Sequence, residues 1–267
     1  MVQHAIGLNI GSVLARTFGY WTRNLVPFSL MALLLQSPVL LLALLMPLET
    51  PTQAYLFGVV IGFGPMVISL LTASVVAYGV FQQIRGRTAS MGDCLRIGLS
   101  RLFPVIGVGL LVALATLAGL MLLIVPGIIV ACIFYVAVPV ATVESPGVRA
   151  SLGRSAYLTK GARAAIFGVA VILGLITSVA NLIVKALIPE PTKPDSVVAH
   201  VNPGASQEQA ASYARDLLAS LRVESVITTA VGAVLGCLLA IASVVVYYDL
   251  RVQKEQVDVE KIVEVFS

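Results

Sequence analysis

Charge is what this chain has least of: only 11% of its 267 residues are charged, against about 25% in an ordinary soluble domain. So little charge cannot keep a surface of this size in water. With 58% hydrophobic residues and a mean hydropathy of +0.99, the chain belongs in a bilayer. Histidine is nearly missing too. His4 and His200 are the only two and fall on opposite sides of the expected membrane, which excludes a histidine-based metal site or haem clamp. The three cysteines, Cys94, Cys132 and Cys237, lie at the cytoplasmic edge of the expected spans or inside them, beyond reach of a pairing oxidant. They are read as small apolar residues. No Ser-His-Asp set, phosphate loop or paired carboxylates can be assembled, so neither catalytic residues nor a cofactor is expected, and the chain is read as no enzyme. Charge is also missing inside the apolar runs, where Gln36, Ser37, Asn181 and scattered Ser and Thr are the polar inventory and Lys185 lies near an end. That argues against ion-coupled transport, which needs ionisable groups at membrane depth. Asn181 is expected to hydrogen-bond between helices.

What the chain has instead is long uncharged runs, between Arg23 and Glu49, Glu49 and Arg85, Arg101 and Glu144, Arg163 and Lys185, and Glu224 and Asp249. A crossing helix needs about 20 apolar residues at about 1.5 Å rise each. The run from Leu102 to Val143 is about twice that, so it must fold back, and Pro126-Gly127 is the expected turn. Six spans follow, near 25–47, 56–82, 104–125, 128–143, 164–187 and 225–248. The fourth is short and carries Pro139, which makes it either thinly spanning or partly re-entrant.

Lysine and arginine counts orient these spans, because basic flanks stay cytoplasmic. Arg16 and Arg23 precede the first span, Arg85, Arg87, Arg96 and Arg101 lie in the 82–103 loop, and Arg149, Arg154, Lys160 and Arg163 lie in the 144–163 loop. The 48–55 loop holds only Glu49 and the 188–224 loop is mildly acidic, so both termini are expected in the cytoplasm.

Each basic segment also has the pattern of a short amphipathic helix. Asn9 caps one with Ile10, Val13, Leu14, Phe18 and Trp21 on one face; Ser90 to Asp93 has capping-box spacing before Leu95, Leu99 and Leu102. In the third, Ser145 precedes Pro146 at the first helical position, with Val148, Leu152 and Ala156 on the buried side and Arg149, Arg154 and Lys160 facing water. Superposing Leu14, Leu95 and Leu152 brings Arg16 over Arg154. The expected fold is therefore an all-α integral membrane protein of six transmembrane helices in three hairpins, each preceded by a cytoplasmic interfacial amphipathic helix. It forms a single polytopic domain over 1–267, with pseudo-repeats near 8–82, 90–143 and 145–248.

From Ile124 to Gly168 the sequence resembles the YciC-like membrane proteins and the membrane domain attached to some bacterial glycerophosphodiester phosphodiesterases. The likeness is carried by Pro126-Gly127, Pro139, Glu144 and the run Ser151 to Lys160, with Tyr247 to Arg251 and Lys254-Glu255 similar to that domain's close. The resemblance implies a bacterial inner-membrane protein with an envelope or lipid-related role. It carries over no catalytic residue, and the soluble phosphodiesterase domain is absent.

Candidate binding residues follow from where charge gathers. Arg16, Arg96, Arg149, Arg154, Lys160 and Arg251 share one membrane level and are expected to hold anionic lipid head groups, while Glu144, Asp93 and Asp249 pair with nearby arginines. A protein partner is expected at the 188–224 loop or the 249–267 tail, which either prolongs span six or, as expected here, docks on a soluble protein. In that loop, Pro189 to Pro194 reads as a stiff extended segment, Asn202-Pro203-Gly204 as a turn and Ser206 to Gln209 as a capping box. Gly58-x-x-x-Gly62 and Gly232-x-x-x-Gly236 suit close packing within one subunit, with a homo-oligomer contact as the alternative. Gly62, Gly64 and Pro65 weaken span two, and a kink there would open a lateral crevice for a lipid tail. No nucleic-acid partner is expected. The expected function is non-enzymatic binding of lipids or partner proteins in envelope maintenance or assembly of a membrane complex; the alternative is a channel or facilitator for a small or amphiphilic molecule.

Overall fold

The computed structural model of the protein describes residues 8–47, 50–188 and 207–255. Among the described residues the chain forms ten helices and no strand. They are α1 (Ile10–Arg23), α2 (Leu25–Leu45), α3 (Pro51–Ile84), α4 (Met91–Ser100), α5 (Leu102–Leu122), α6 (Ile124–Ile133), α7 (Ala137–Val143), α8 (Val148–Thr159), α9 (Arg163–Leu187) and α10 (Gln207–Glu255). Six stretches are long and apolar enough to cross a membrane: Leu25–Leu45, Tyr55–Ile84, Leu102–Leu122, Ile124–Val143, Arg163–Leu187 and Arg222–Glu255. Their outer faces leave large apolar side chains uncovered, Met121, Leu122, Leu187 and Phe103 each being more than 70% exposed. Such surface suits a multi-pass membrane protein and not an aqueous one.

Proline ends α5 and breaks the fourth span, each time one turn upstream of its own position. A proline ring collides with the carbonyl four residues earlier and lacks the N–H that would bond it. Pro126 therefore ends α5 at Leu122, and the chain reverses at Leu123 in an extended conformation, not at the Pro-Gly pair. Pro126 and Gly127 lie in the first turn of α6, where a missing N–H costs nothing because no carbonyl awaits it. The glycine is needed for a different reason: a Cβ on Gly127 would sit 2.4 Å from Leu120 Cγ, and one on Gly119 would sit 2.9 Å from Gly127 Cα. The fourth span is accordingly longer than expected, Ile124–Val143, and is broken at Phe134 to Val136 by Pro139, whose carbonyl partner would have been Tyr135. Pro38 leaves α2 unbroken; Ser37 Oγ donates to the Leu34 carbonyl that the ring orphans, at 2.7 Å. Likewise α3 runs unbroken through Gly62, Gly64 and Pro65.

The expected caps on α1 and α4 are present: Ser12 N–H donates to Asn9 Oδ1 at 3.1 Å, and Asp93 N–H to Ser90 Oγ at 3.0 Å. The cap on α8 differs. Pro146 stands before the helix, Ser145 and Gly147 both have positive φ, and Gly147 is the residue at the helix start. Two residues of left-handed backbone are needed to turn the chain between α7 and α8, which Ser145 as a plain cap would not allow.

Contacts fix two ends of the bundle. At one end, Asn24 and Gln83 exchange side-chain amide hydrogen bonds of 2.8 and 2.9 Å, joining the start of α2 to the end of α3. Arg16 of α1 meets Asp249 of α10 at the same end. At the other end, Arg222 of α10 donates to the Leu44 carbonyl at 3.0 Å, placing a cation on the C-terminus of α2, and Lys185 of α9 pairs with Glu224 at 3.5 Å. The core gathers toward the first end, where Val76, Ala77, Val80 and Phe81 of α3 pack against Leu238, Ile241, Val245 and Tyr247 of α10. Thr142 Oγ1 donates to the buried Ser74 Oγ at 3.0 Å within it.

Candidate functional site at the charged end

The charge at this end is divided between side chains that pair with each other and side chains that form no ion pair among the described residues. Glu144, the last cap of α7, is the centre of the first group. Arg154 of α8 donates to it from Nε at 3.0 Å and from Nη2 at 3.2 Å, and Tyr247 Oη of α10 donates to Glu144 Oε1 at 2.7 Å. Arg154 Nη2 also bonds Glu255, whose other carboxylate oxygen accepts from Arg251 Nε at 3.1 Å. Arg251 completes the ring by donating to Tyr247 Oη at 2.9 Å and lying 3.9 Å from Glu144. Two arginines, two glutamates and one tyrosine thus form a closed network of zero net charge, joining α7, α8 and α10. Side-chain exposures of 18% for Glu144 and 23% for Arg154 make it partly buried. Burial alone would lower the Arg154 guanidinium, but hydrogen bonds and charge from Glu144 and Glu255 outweigh that and hold it above its ordinary range.

Helix α8 is placed for this by a polar face. Ser151, Ser155 and Thr159 are fully buried along with Leu158, whereas Val148, Leu152 and Ala156, expected to be the buried side, are only half-buried. The reason lies in the break of the fourth span. With Ala137 N–H bonded to Phe134, the Ile133 carbonyl loses its helical donor, and Ser155 Oγ and Thr159 Oγ1 supply hydrogen bonds of 2.8 and 3.1 Å. Hydroxyls, not hydrocarbon, are what that surface requires.

The expected head-group residues fall into two classes. Arg16, Arg154 and Arg251 are in ion pairs with Asp249, Glu144 and Glu255. Arg96, Arg149 and Lys160 are exposed and form no ion pair among the described residues, as do Arg23, Arg85 and Arg87. Asp93 does not pair with an arginine; it accepts from Ser90 Oγ at 2.7 Å. Lys160 contributes its carbonyl to Lys254 Nζ at 2.8 Å, and Lys254 also bonds the Tyr157 carbonyl, so the last turn of α10 is tied to the end of α8. Cys94 is buried against Met31, Leu71 and Val75; burial, with the nearby Asp93 charge, pushes its thiol up and leaves it unreactive.

Two further expectations come out differently. Asn181 donates to the Thr177 carbonyl of its own helix at 2.9 Å and does not bridge helices. The glycines of the two Gly-x-x-x-Gly pairs face open space, with nothing within 4 Å of a built Cβ at Gly58, Gly62, Gly232 or Gly236, so they are not points of close packing within the subunit. The tail prolongs α10 as far as Glu255; residues 256–267 lie outside the described residues, as do Pro189 to Pro194, the Asn202-Pro203-Gly204 turn, His4 and His200. Only part of the Ser206 to Gln209 capping box is described, since α10 begins at Gln207. Sequence reasoning did not single out Tyr247 and Glu255 as site residues. Their spacing was the available signal, because Tyr247, Arg251 and Glu255 follow at intervals of four and share one helix face. No protein-family model, curated protein or solved structure matches this chain.

Proposed function

We propose that this chain is a non-enzymatic inner-membrane protein of bacteria that gathers anionic lipid head groups around its charged end, in an envelope or lipid-related role. The observation that carries this is the division of charge. Glu144, Asp249 and Glu255 are occupied by Arg16, Arg154 and Arg251, so exposed Arg96, Arg149 and Lys160 present positive charge that no carboxylate among the described residues neutralises. Each basic side chain near an anionic surface contributes about 1 kcal/mol of attraction. In this proposal α1, α4 and α8 lie in the cytoplasmic interface and lead into three hairpins, α2–α3, α5–α7 and α9–α10. The basic flanks support that orientation. So does the meeting of α1 with the last turns of α10, which an even number of crossings requires. The resemblance of Ser151 to Lys160 to the YciC-like proteins supports the bacterial inner membrane as the location.

Native mass spectrometry from nanodiscs of phosphatidylglycerol and phosphatidylethanolamine tests the proposal. The triple variant Arg96→Gln, Arg149→Gln, Lys160→Gln is expected to keep its fold and lose most bound phosphatidylglycerol. Unchanged lipid binding would refute it, and a ring-shaped oligomer conducting in planar bilayers would replace it with the channel alternative.

A further inference from the structure

From the half of the bundle away from the charged network, we infer a second, independent site: a lateral crevice in the membrane that binds the chain of a lipid through an uncharged oxygen. The crevice is a cavity of about 590 Å³ walled by α2, α3, the break in the fourth span and α10. That volume is in the range of small-molecule sites, about 300–1,000 Å³. It is made by what is missing from its wall, since Gly232 and Gly236 project no side chain and a Cβ on either would meet nothing within 4 Å. Along α10 it runs from Thr228 to Ser243, which at helical rise is about 22 Å, the scale of an extended lipid chain. Met66, Ser69, Gly232 and Leu239 on its rim are exposed, so its mouth opens on the flank of the bundle between the two ends.

Two features identify the occupant. No charged side chain among the described residues lines the crevice, which suits an occupant uncharged over that length. Gln36 also lines it, is only 3% exposed, and its Nε2 has no hydrogen-bond partner. A buried amide N–H at membrane depth calls for an acceptor, and no protein group among the described residues supplies one. The lipid-facing mouth leaves membrane lipid as the source. Its chain would lie along Gly232 and Gly236, and a carbonyl oxygen, from an acyl ester or from a quinone ring on a polyprenyl chain, would accept from Gln36.

The test uses the full chain in phosphatidylglycerol and phosphatidylethanolamine vesicles containing a phosphatidylglycerol with a diazirine midway along one acyl chain. After irradiation, adducts are expected to concentrate on peptides covering 61–73 and 228–243, above those on the outward face of α5. Filling the crevice by Gly236→Phe, or separately by Gly232→Phe, should lower the crevice adducts about tenfold, and Gln36→Leu about fivefold. Competition by excess decyl-benzoquinone would assign the site to quinone rings; adducts undiminished by it would assign the site to acyl esters. Adducts spread evenly over exposed helix faces, or unaltered in variants that keep the wild-type elution profile, would overturn the inference. The triple variant at Arg96, Arg149 and Lys160 leaves this labelling unchanged, which separates the two sites.

Discussion

Helix α10 has two unlike halves. From Cys237 to Leu250 it is buried almost without interruption and ends in side chains that bond α7 and α8; from Thr228 to Gly236 it borders open space. Helix α3 is divided the same way, with Val75 to Phe81 in the core and Tyr55 and Phe63 some two-thirds or more exposed. The closed halves lie together and so do the open ones. Dense packing is concentrated where α1, α7 and α8 meet α10, and open space where the bundle leaves its apolar side chains uncovered.

The largest effect expected from breaking this contrast is at Glu144. Glu144→Ala leaves Arg154 and Arg251 facing each other's charge with half their partners gone. Since the side chains are partly exposed, the cost should fall near the lower part of the range for disrupted buried pairs, about 2–3 kcal/mol, read from unfolding titrations in mixed micelles. Next comes Gly127→Ala, where the new Cβ would meet Leu120 at 2.4 Å in side chain and 2.8 Å in backbone. A loss of about 1–3 kcal/mol is expected by the same measurement. The smallest effect is at Gly232→Ala. With open space around it, the change should alter stability by less than about 0.5 kcal/mol or raise it slightly through helix propensity. Equal costs at Gly127 and Gly232 would erase the distinction between the halves.

Much of this architecture was legible in the residues. Gaps between charges gave five runs, and the double length of one of them gave the sixth apolar helix, because the length a bilayer demands is a coarse property that composition reveals directly. The Asn9 and Ser90 caps were legible too, being local chemistry. The register of Arg16 over Arg154 was read as one plan repeated; in the structure both arginines reach acids on α10. The turn was displaced from Pro126-Gly127 to Leu123 because proline acts on the carbonyl four residues before it. The face of α8 was legible in part: Val148 and Leu152 pack against the core, but the fully buried Ser155 and Thr159 answer an orphaned carbonyl, created by a break in another helix and invisible to periodicity. Charge position gave the candidate binding residues, yet which of them are free depends on the fold, since Glu144 and Glu255 are 111 positions apart in sequence and share one arginine.

The division of charge is tested most directly by a double-mutant cycle on Glu144 with Arg154, run beside one on Glu144 with Arg149. The account predicts a coupling of at least about 1.5 kcal/mol for the first pair and none for the second. Zero coupling to Arg154, with phosphatidylglycerol lost on Arg154→Gln, would contradict it.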